Sequence, residues 1–150
     1  MQLSITILKS MGESKIFMID MINNGMKKPK VIVMIPAYNE KIKIGEVIKQ
    51  IPRKISDVDE VKVMVIDDHS KDNTSEVAKK AGADYVFRNK KNLGLGVNFK
   101  KGIEMALNLG ADIIVNIDGD GQFKSKEIPK LIEPIIYNGA DMVTGSRFLP

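Results

Sequence analysis

Hydrophobic and polar positions along the chain follow two alternating patterns, one typical of strands and one typical of helices. Short apolar runs rich in β-branched residues indicate strands buried on both faces of a sheet, and they lie at 31–35, 61–66, 85–87, 113–117 and 142–144. Apolar residues with helical spacing lie between them, at 44–51, around 77–78, at 95–107 and at 128–136. Because strands and helices alternate, the sequence predicts an α/β fold, a mostly parallel sheet with helices on both faces.

The first 29 residues differ from the rest of the chain. They contain five of the nine methionines and no motif that indicates a function. Residues 3–8 are a candidate strand, and residues 23–25 have the composition of a turn. Because the strand–helix alternation starts at Val31, we expect residues 1–29 to be a leader outside the core fold and residues 31–150 to form the domain.

The most informative stretch is the end of the strand predicted at 113–117. It runs into Asp118, and a second carboxylate, Asp120, follows after one residue. Ligands of open α/β sheets bind at the carboxyl ends of the strands. The glycines at 119 and 121 allow the backbone to turn, so that both carboxylates and the Gln122 carbonyl can reach one ion. Oxygen ligands of this kind suit Mg²⁺ or Mn²⁺, and substrate phosphates would complete the coordination. Taken alone, this stretch could equally be a polar loop that binds no ligand.

Polar side chains follow two other predicted strands at the equivalent point. Tyr38 and Glu40 follow the first strand, and Asp67 and Asp68 follow the second. Because the carboxyl ends of parallel strands meet at one edge of a sheet, we expect Tyr38, Glu40 and Asp68 to share a crevice with the carboxylates described above. Asp67 is expected to orient its turn rather than to contact a ligand.

The composition excludes several classes of protein. The 150 residues include no cysteine, which excludes disulfides and thiolate chemistry, and one histidine, which excludes a site built from several histidines. Residues 1–30 carry five lysines and two carboxylates, whereas residues 31–150 carry 18 basic and 17 acidic residues. The domain is therefore nearly neutral, and we expect no nucleic-acid partner. No apolar stretch approaches the roughly 20 residues that a membrane-spanning helix needs.

Five motifs occur in order within residues 31–150. They are IPAYNE (35–40), VIDDHS (65–70), NLGLG (92–96), DGDGQ (118–122) and GSRF (145–148). The set resembles the family 2 inverting glycosyltransferases with a GT-A fold, and within them the dolichol-phosphate mannose synthase and polyprenyl-phosphate glycosyltransferase branch. Each motif alone is a weak signal, whereas the ordered set is highly specific. The resemblance implies a Rossmann-like GT-A domain that is truncated at its C-terminal side, because family members continue well past GSRF.

The same resemblance implies an activity and its partners. It implies transfer of a mannose- or glucose-type sugar from a GDP- or UDP-sugar to a polyprenyl or dolichyl phosphate or a similar acceptor, with Mg²⁺ or Mn²⁺ as cofactor. We therefore expect the protein in the cytoplasm or at the cytoplasmic face of a membrane. Peripheral membrane contact, a homo-oligomer and a C-terminal partner stay open as expectations.

The resemblance also assigns roles to individual residues. Asp118, Asp120 and Gln122 hold the metal, and catalysis depends on Asp118, Asp120 and Arg147, whose guanidinium would hold an acceptor phosphate. His69 stands where the family usually carries glycine, which is expected to stiffen the turn after Asp68. The nucleotide sugar is expected to contact Pro36, Tyr38, Glu40, Ile66, Asp68, Asp118, Gly119 and Asp120.

One other class of protein stays open at this point, and a second is disfavoured. A non-catalytic or split sugar-nucleotide-binding module would carry the same donor motifs and lack the acceptor half, and turnover with an added polyprenyl phosphate would separate it from an enzyme. The aspartates at 67, 68 and 118 also resemble those of a phospho-acceptor receiver domain. That class needs its acidic pair near the start and a lysine after a late strand, and neither condition is met.

Overall fold

A computed structural model describes residues 28–145, together with Gly25 and the backbone of residues 6–9. The strands are β1 (Thr6–Lys9), β2 (Lys30–Ala37), β3 (Glu60–Asp67), β4 (Tyr85–Arg88), β5 (Ile113–Asn116) and β6 (Met142–Thr144). The helices are α1 (Ile44–Gln50), α2 (Thr74–Lys80), α3 (Leu95–Asn108) and α4 (Ile128–Tyr137), and a 3-10 turn at Ser125–Glu127 precedes α4. None of the helices in these ranges is long and apolar enough to cross a membrane.

In the described part of the chain, the strands form one six-stranded sheet in the order β4-β3-β2-β5-β1-β6. Strands β2, β3, β4 and β5 are parallel to one another, and β1 is antiparallel to both of its neighbours. The long central strands β2 and β3 pair along their full length, from Lys30 opposite Glu60 to Ala37 opposite Asp67. The predicted α/β fold with a mostly parallel sheet is therefore confirmed.

The two faces of the sheet pack against different helices, because successive side chains of a strand point to opposite faces. In β2, Val31, Val33 and Ile35 belong to the apolar cluster that includes side chains of α1, α2 and α4. Ile32 and Met34 belong to the cluster that includes the apolar side chains of α3. The central strands are thus buried on both faces, as their continuous apolar runs predict.

Helix α3 approaches the sheet closely at Gly102. A Cβ atom at this position would lie 2.3 Å from both Ile66 Cδ1 and Met34 Sδ. Both of these side chains are fully buried, so neither can move into solvent to make room. The absence of a side chain at Gly102 therefore sets the distance between α3 and the sheet.

Strand β1 corrects the expectation that the leader lies outside the core fold. It lies between β5 and β6, with Thr6 paired to both Asn116 and Thr144. Its position has a physical reason, because the backbone N–H and C=O groups at the facing edges of β5 and β6 need partners. The candidate strand at 3–8 is confirmed for residues 6–8, and the exclusion of residues 1–29 from the core is wrong for residues 6–9.

Candidate active site

Loops that follow the parallel strands meet at the carboxyl edge of the sheet around an open cavity of about 250 Å³. This is the edge at which the sequence predicts a crevice, since the loops after β2, β3 and β5 all leave the sheet on that side. The N-terminal end of α3 forms a further wall. The cavity is lined by Pro36, Ala37, Tyr38, Glu40, Asp68, Asn92, Gly94, Leu95, Asn98, Asp118, Gly119 and Asp120.

The loop after β2 is held by side chains of the segment after β3. Ser70 Oγ accepts a hydrogen bond from the Asn39 N–H at 2.9 Å, and Thr74 Oγ1 accepts one from the Glu40 N–H at 2.9 Å. In the other direction, the Lys71 N–H donates to Asn39 Oδ1 at 2.8 Å. Asn39 has a φ of 56°, a left-handed conformation that asparagine tolerates better than most residues. These bonds fix the backbone that carries Glu40 at the cavity.

The two adjacent aspartates at the end of β3, Asp67 and Asp68, accept hydrogen bonds from different segments. Asp67 is buried and accepts hydrogen bonds from the Ser70 N–H at 2.8 Å and from the Ser75 hydroxyl. The predicted role of Asp67 in orienting its turn is therefore confirmed. Asp68 is also buried, but its carboxylate accepts hydrogen bonds from the turn at residues 92–94 and lines the cavity.

Three carboxylates, those of Glu40, Asp118 and Asp120, meet at the cavity without a basic partner among the residues that the structure describes. None of the ion pairs in the described residues includes any of the three. Burial raises the pKa of the Glu40 carboxyl, and the charges of Asp120, Asp72 and Asp118 raise it further. Burial also raises the pKa of Asp118, and the charge of Asp120 adds to that rise. The negative charge of this cluster is therefore uncompensated by the described side chains, which favours binding of a cation.

The donor atoms of this cluster suit a hard divalent cation. Asp118 and Asp120 supply carboxylate oxygens, and Asp120 Oδ1 is held by the Gln122 N–H at 2.9 Å. In the ranges that the structure describes, no group of three or more His, Cys, Asp or Glu residues is arranged as a metal site. Two carboxylates leave most of an octahedral shell to other oxygens, as is usual for Mg²⁺ sites completed by phosphate and water. The residues thus fit a metal that binds together with a phosphate ligand.

The structure brings most of the predicted site residues together. Those that line the cavity are Pro36, Tyr38, Glu40, Asp68, Asp118, Gly119 and Asp120. Ile66 does not join them, because its side chain is fully buried against α3. Gln122 is exposed and does not line the cavity, and Arg147 lies outside the described residues.

Sequence reasoning missed three polar residues next to the cavity, Asn89, Asn98 and Lys101. They form hydrogen bonds with one another or with Asp68. Asn98 had no clear signal in the sequence, because only the structure shows that its position in α3 is buried, whereas Leu95, three residues earlier, is exposed. Asn89 and Lys101 had no local signal, since their partners are distant in the sequence.

The fold and the site together define a known class of protein. The chain belongs to glycosyl transferase family 2, whose family model matches residues 32–150. The match confirms the resemblance on which the GT-A fold was predicted.

Individual relatives match this chain over most of its length. An uncharacterized protein of Methanocaldococcus jannaschii is 38% identical over 126 residues, which cover 84% of this chain and 50% of that protein. A dolichol-phosphate mannosyltransferase of Pyrococcus furiosus is 36% identical over 123 residues, which cover 80% of this chain and 34% of that enzyme. The chain therefore spans about half, or less, of the length of these relatives.

A solved structure shares the fold. Glucosyl-3-phosphoglycerate synthase from Mycobacterium tuberculosis, in complex with Mn²⁺, UDP-glucose and phosphoglyceric acid, superimposes with a TM-score of 0.58. The two proteins are 28% identical, and the match covers 73% of this chain and 40% of that one.

Proposed function

We propose that the protein is a metal-dependent glycosyltransferase. It moves a mannose- or glucose-type sugar from a GDP- or UDP-sugar to a polyprenyl or dolichyl phosphate or a similar acceptor. The observation that carries the proposal is the cluster of Glu40, Asp118 and Asp120, which faces an open cavity without a basic partner among the described residues. A divalent cation and a diphosphate would bind there together, because each neutralises the charge of the other.

The printed descriptions of the relatives support the proposal. One relative is a dolichol-phosphate mannosyltransferase, and a structural neighbour was crystallised with Mn²⁺ and UDP-glucose. Both descriptions concern a sugar and a phosphate-bearing partner. The shared chemistry of these proteins supports a phosphate-bearing sugar donor for this chain.

In the proposed complex, Asp118 and Asp120 hold the metal, and Gln122 is a third ligand that would have to turn toward it. A bound Mg²⁺ or Mn²⁺ would offset the negative charge that develops on the departing diphosphate. Gly119 lies buried between the two aspartates, so its backbone brings both carboxylates to the cavity.

The nucleotide is proposed to occupy the wall formed by the loops after β2 and β3. Tyr38 is 44% exposed at the cavity, so its ring is available for stacking on a base. Pro36 and Glu40 line the same wall, and Asp68 would accept a hydrogen bond from the ribose or the base. Ile66 is proposed to act only by supporting this wall from the core, since its side chain is buried.

The acceptor side of the proposal rests on Arg147 and on the nature of the acceptor. A guanidinium matches the geometry of a phosphate, so Arg147 would hold the acceptor phosphate. A polyprenyl acceptor lies in a membrane, which would bring the protein to its cytoplasmic face as a peripheral protein. Further acceptor contacts could come from a second copy of the chain or from a C-terminal partner.

Sugar transfer to a polyprenyl phosphate in vesicles tests the proposal. We expect transfer from at least one member of a panel of radiolabelled GDP- and UDP-sugars with Mn²⁺ present. The variant Asp118→Asn should lower the rate by roughly 100-fold, because the developing charge loses its main compensation. The variant Asp59→Asn, an exposed aspartate outside the cavity, is the matched control. Binding without transfer would instead support the sugar-nucleotide-binding module, and the absence of both would contradict both functions.

A further inference from the structure

Three polar side chains beneath one wall of the cavity form a branched hydrogen-bonded network that reaches Asp68. Lys101 Nζ donates to Asn89 Oδ1 at 2.5 Å. Asn89 Nδ2 donates to Asp68 Oδ1 at 2.7 Å and to Asn98 Oδ1 at 2.9 Å. Asn98 Nδ2 donates to the Ile66 carbonyl at 3.0 Å. Asn89 and Asn98 are buried, with 4% and 1% of their surface exposed, so the two amides of this network are shielded from water.

Lys101 at one end of the network and the Ile66 carbonyl at another fix the orientation of both amides. A lysine ammonium can only donate, so the amide oxygen of Asn89 must face Lys101 and its NH₂ group must face Asp68. The Ile66 carbonyl can only accept, so the NH₂ group of Asn98 must face the strand and its oxygen must face Asn89. Every donor hydrogen of the Asn89 amide therefore has an acceptor, and neither amide can flip without leaving buried groups unpaired.

Asp68 also holds the turn at residues 92–94, which lines the cavity. Its Oδ1 accepts a second hydrogen bond, from the Leu93 N–H at 2.9 Å, and its Oδ2 accepts one from the Gly94 N–H at 2.8 Å. Gly94 has a φ of 81°, a backbone conformation that glycine adopts without strain. A carboxylate offers about four acceptor positions, so the described residues use three and leave one on Oδ2.

We propose that Asn89, Asn98 and Lys101 are positioning residues for the donor site. They hold Asp68 and the turn at residues 92–94 in the one arrangement that leaves an acceptor position of Asp68 available to a bound nucleotide. The positive charge of Lys101 polarises the Asn89 amide and strengthens its bond to the negative Asp68. This inference rests on the proposed function only in naming the nucleotide as the ligand.

The first test removes the positive charge of Lys101, which is the least buried member of the hydrogen-bonded network, so its substitution should disturb folding least. We expect Lys101→Met to weaken binding of GDP or UDP, in the presence of Mn²⁺, by roughly tenfold, because one charged hydrogen bond to the network is lost. Lys101→Arg should restore most of the affinity. Lys100→Met removes the neighbouring, exposed lysine and should leave the affinity unchanged. Titration calorimetry measures all four proteins.

A double-mutant cycle shows whether Lys101 acts through Asp68. In an Asp68→Asn background, Lys101→Met should cause little further loss of affinity, because the group that it positions is already altered. A purely structural role would make the two losses additive. Additive losses, or a Lys101→Met affinity within twofold of the parent protein, would overturn the proposal.

Amide exchange in the ligand-free protein provides a readout that is independent of nucleotide binding. The N–H groups of Leu93 and Gly94 should exchange faster in Lys101→Met than in Lys100→Met, while the amides of β2 and β3 keep their protection. Equal exchange at Leu93 and Gly94 in the two variants would contradict the network. If the parent protein bound no nucleotide at all, the proposed function would fail, but this exchange measurement would still decide the role of the network.

Discussion

At the scale of single residues, the carboxylates of the site lower the stability of the metal-free protein. Glu40, Asp118 and Asp120 share one cavity, and both burial and mutual repulsion raise the pKa values of Glu40 and Asp118. A carboxyl whose pKa is higher in the folded than in the unfolded state stabilises the fold at low pH, and this contribution is lost as the pH rises through the folded-state pKa. At neutral pH the ionised cluster therefore destabilises the metal-free protein.

This reasoning predicts that Asp120→Asn stabilises the metal-free protein. The change keeps the shape of the side chain and removes one of the repelling charges, so we expect the Tm at pH 7 to rise by roughly 2–4 °C, equivalent to about 1 kcal/mol. Thermal unfolding in EDTA, followed by circular dichroism, measures the difference. It should shrink as the pH falls through the raised pKa values of Glu40 and Asp118, because protonation removes the same repulsion.

The control for this comparison is Asp59→Asn, which removes an exposed carboxylate outside the cluster. Its Tm should stay close to that of the parent protein. An unchanged or lower Tm for Asp120→Asn at pH 7 would show that the cluster is not electrostatically strained.

At the scale of elements, the site depends on how α3 lies on the sheet. The helix begins at Leu95, beside the cavity, and it supplies Asn98 to the wall and Lys101 to the network beneath it. Gly102, the residue after Lys101, sets the distance between the helix and the side chains of Ile66 and Met34. Packing in the core therefore sets how closely this helix approaches the sheet.

We predict that Gly102→Ala destabilises the protein although alanine favours helices. Its Cβ would lie 2.3 Å from two buried side-chain atoms, and overpacking of this kind costs about 1–3 kcal/mol. Gly96→Ala is the matched control in the same helix, because a Cβ there meets nothing within 4 Å. That substitution should instead stabilise the protein by about 0.5–1 kcal/mol through helix propensity. Urea unfolding of both variants decides the matter, and equal effects would contradict the close approach.

At the scale of the whole molecule, most of the fold was predictable because most of its strands have a recognisable local sequence pattern. The apolar runs of β2, β3 and β5 are short and rich in β-branched residues, and they are buried on both faces, which is typical of strands in a parallel sheet. Strand β1 was misjudged because its assignment depends on pairing with β5 and β6, more than a hundred residues away, which local pattern does not reveal.

The site was predictable to the extent that its residues directly follow strands. Glu40, Asp68 and Asp118 were found from their positions alone, since parallel strands bring such residues to one edge. Asn89 was missed because its importance arises from side-chain contacts across loops. Ile66 was expected to contact the nucleotide, but it points into the core, which only the packing of α3 makes evident.

We propose that Asp118 and Asp120 bind a nucleoside diphosphate through a divalent metal, and titration calorimetry measures this dependence on the metal and on the two carboxylates. GDP and UDP are titrated into the parent protein, into Asp120→Ala and into Asp59→Ala, each with Mn²⁺ and with EDTA. We predict that one nucleotide binds the parent protein and Asp59→Ala roughly tenfold or more tightly with Mn²⁺ than with EDTA, because the metal links carboxylates to phosphates. Asp120→Ala should bind as weakly with Mn²⁺ as the parent protein does in EDTA. Equal affinity of Asp120→Ala and the parent protein with Mn²⁺ present would contradict the claim.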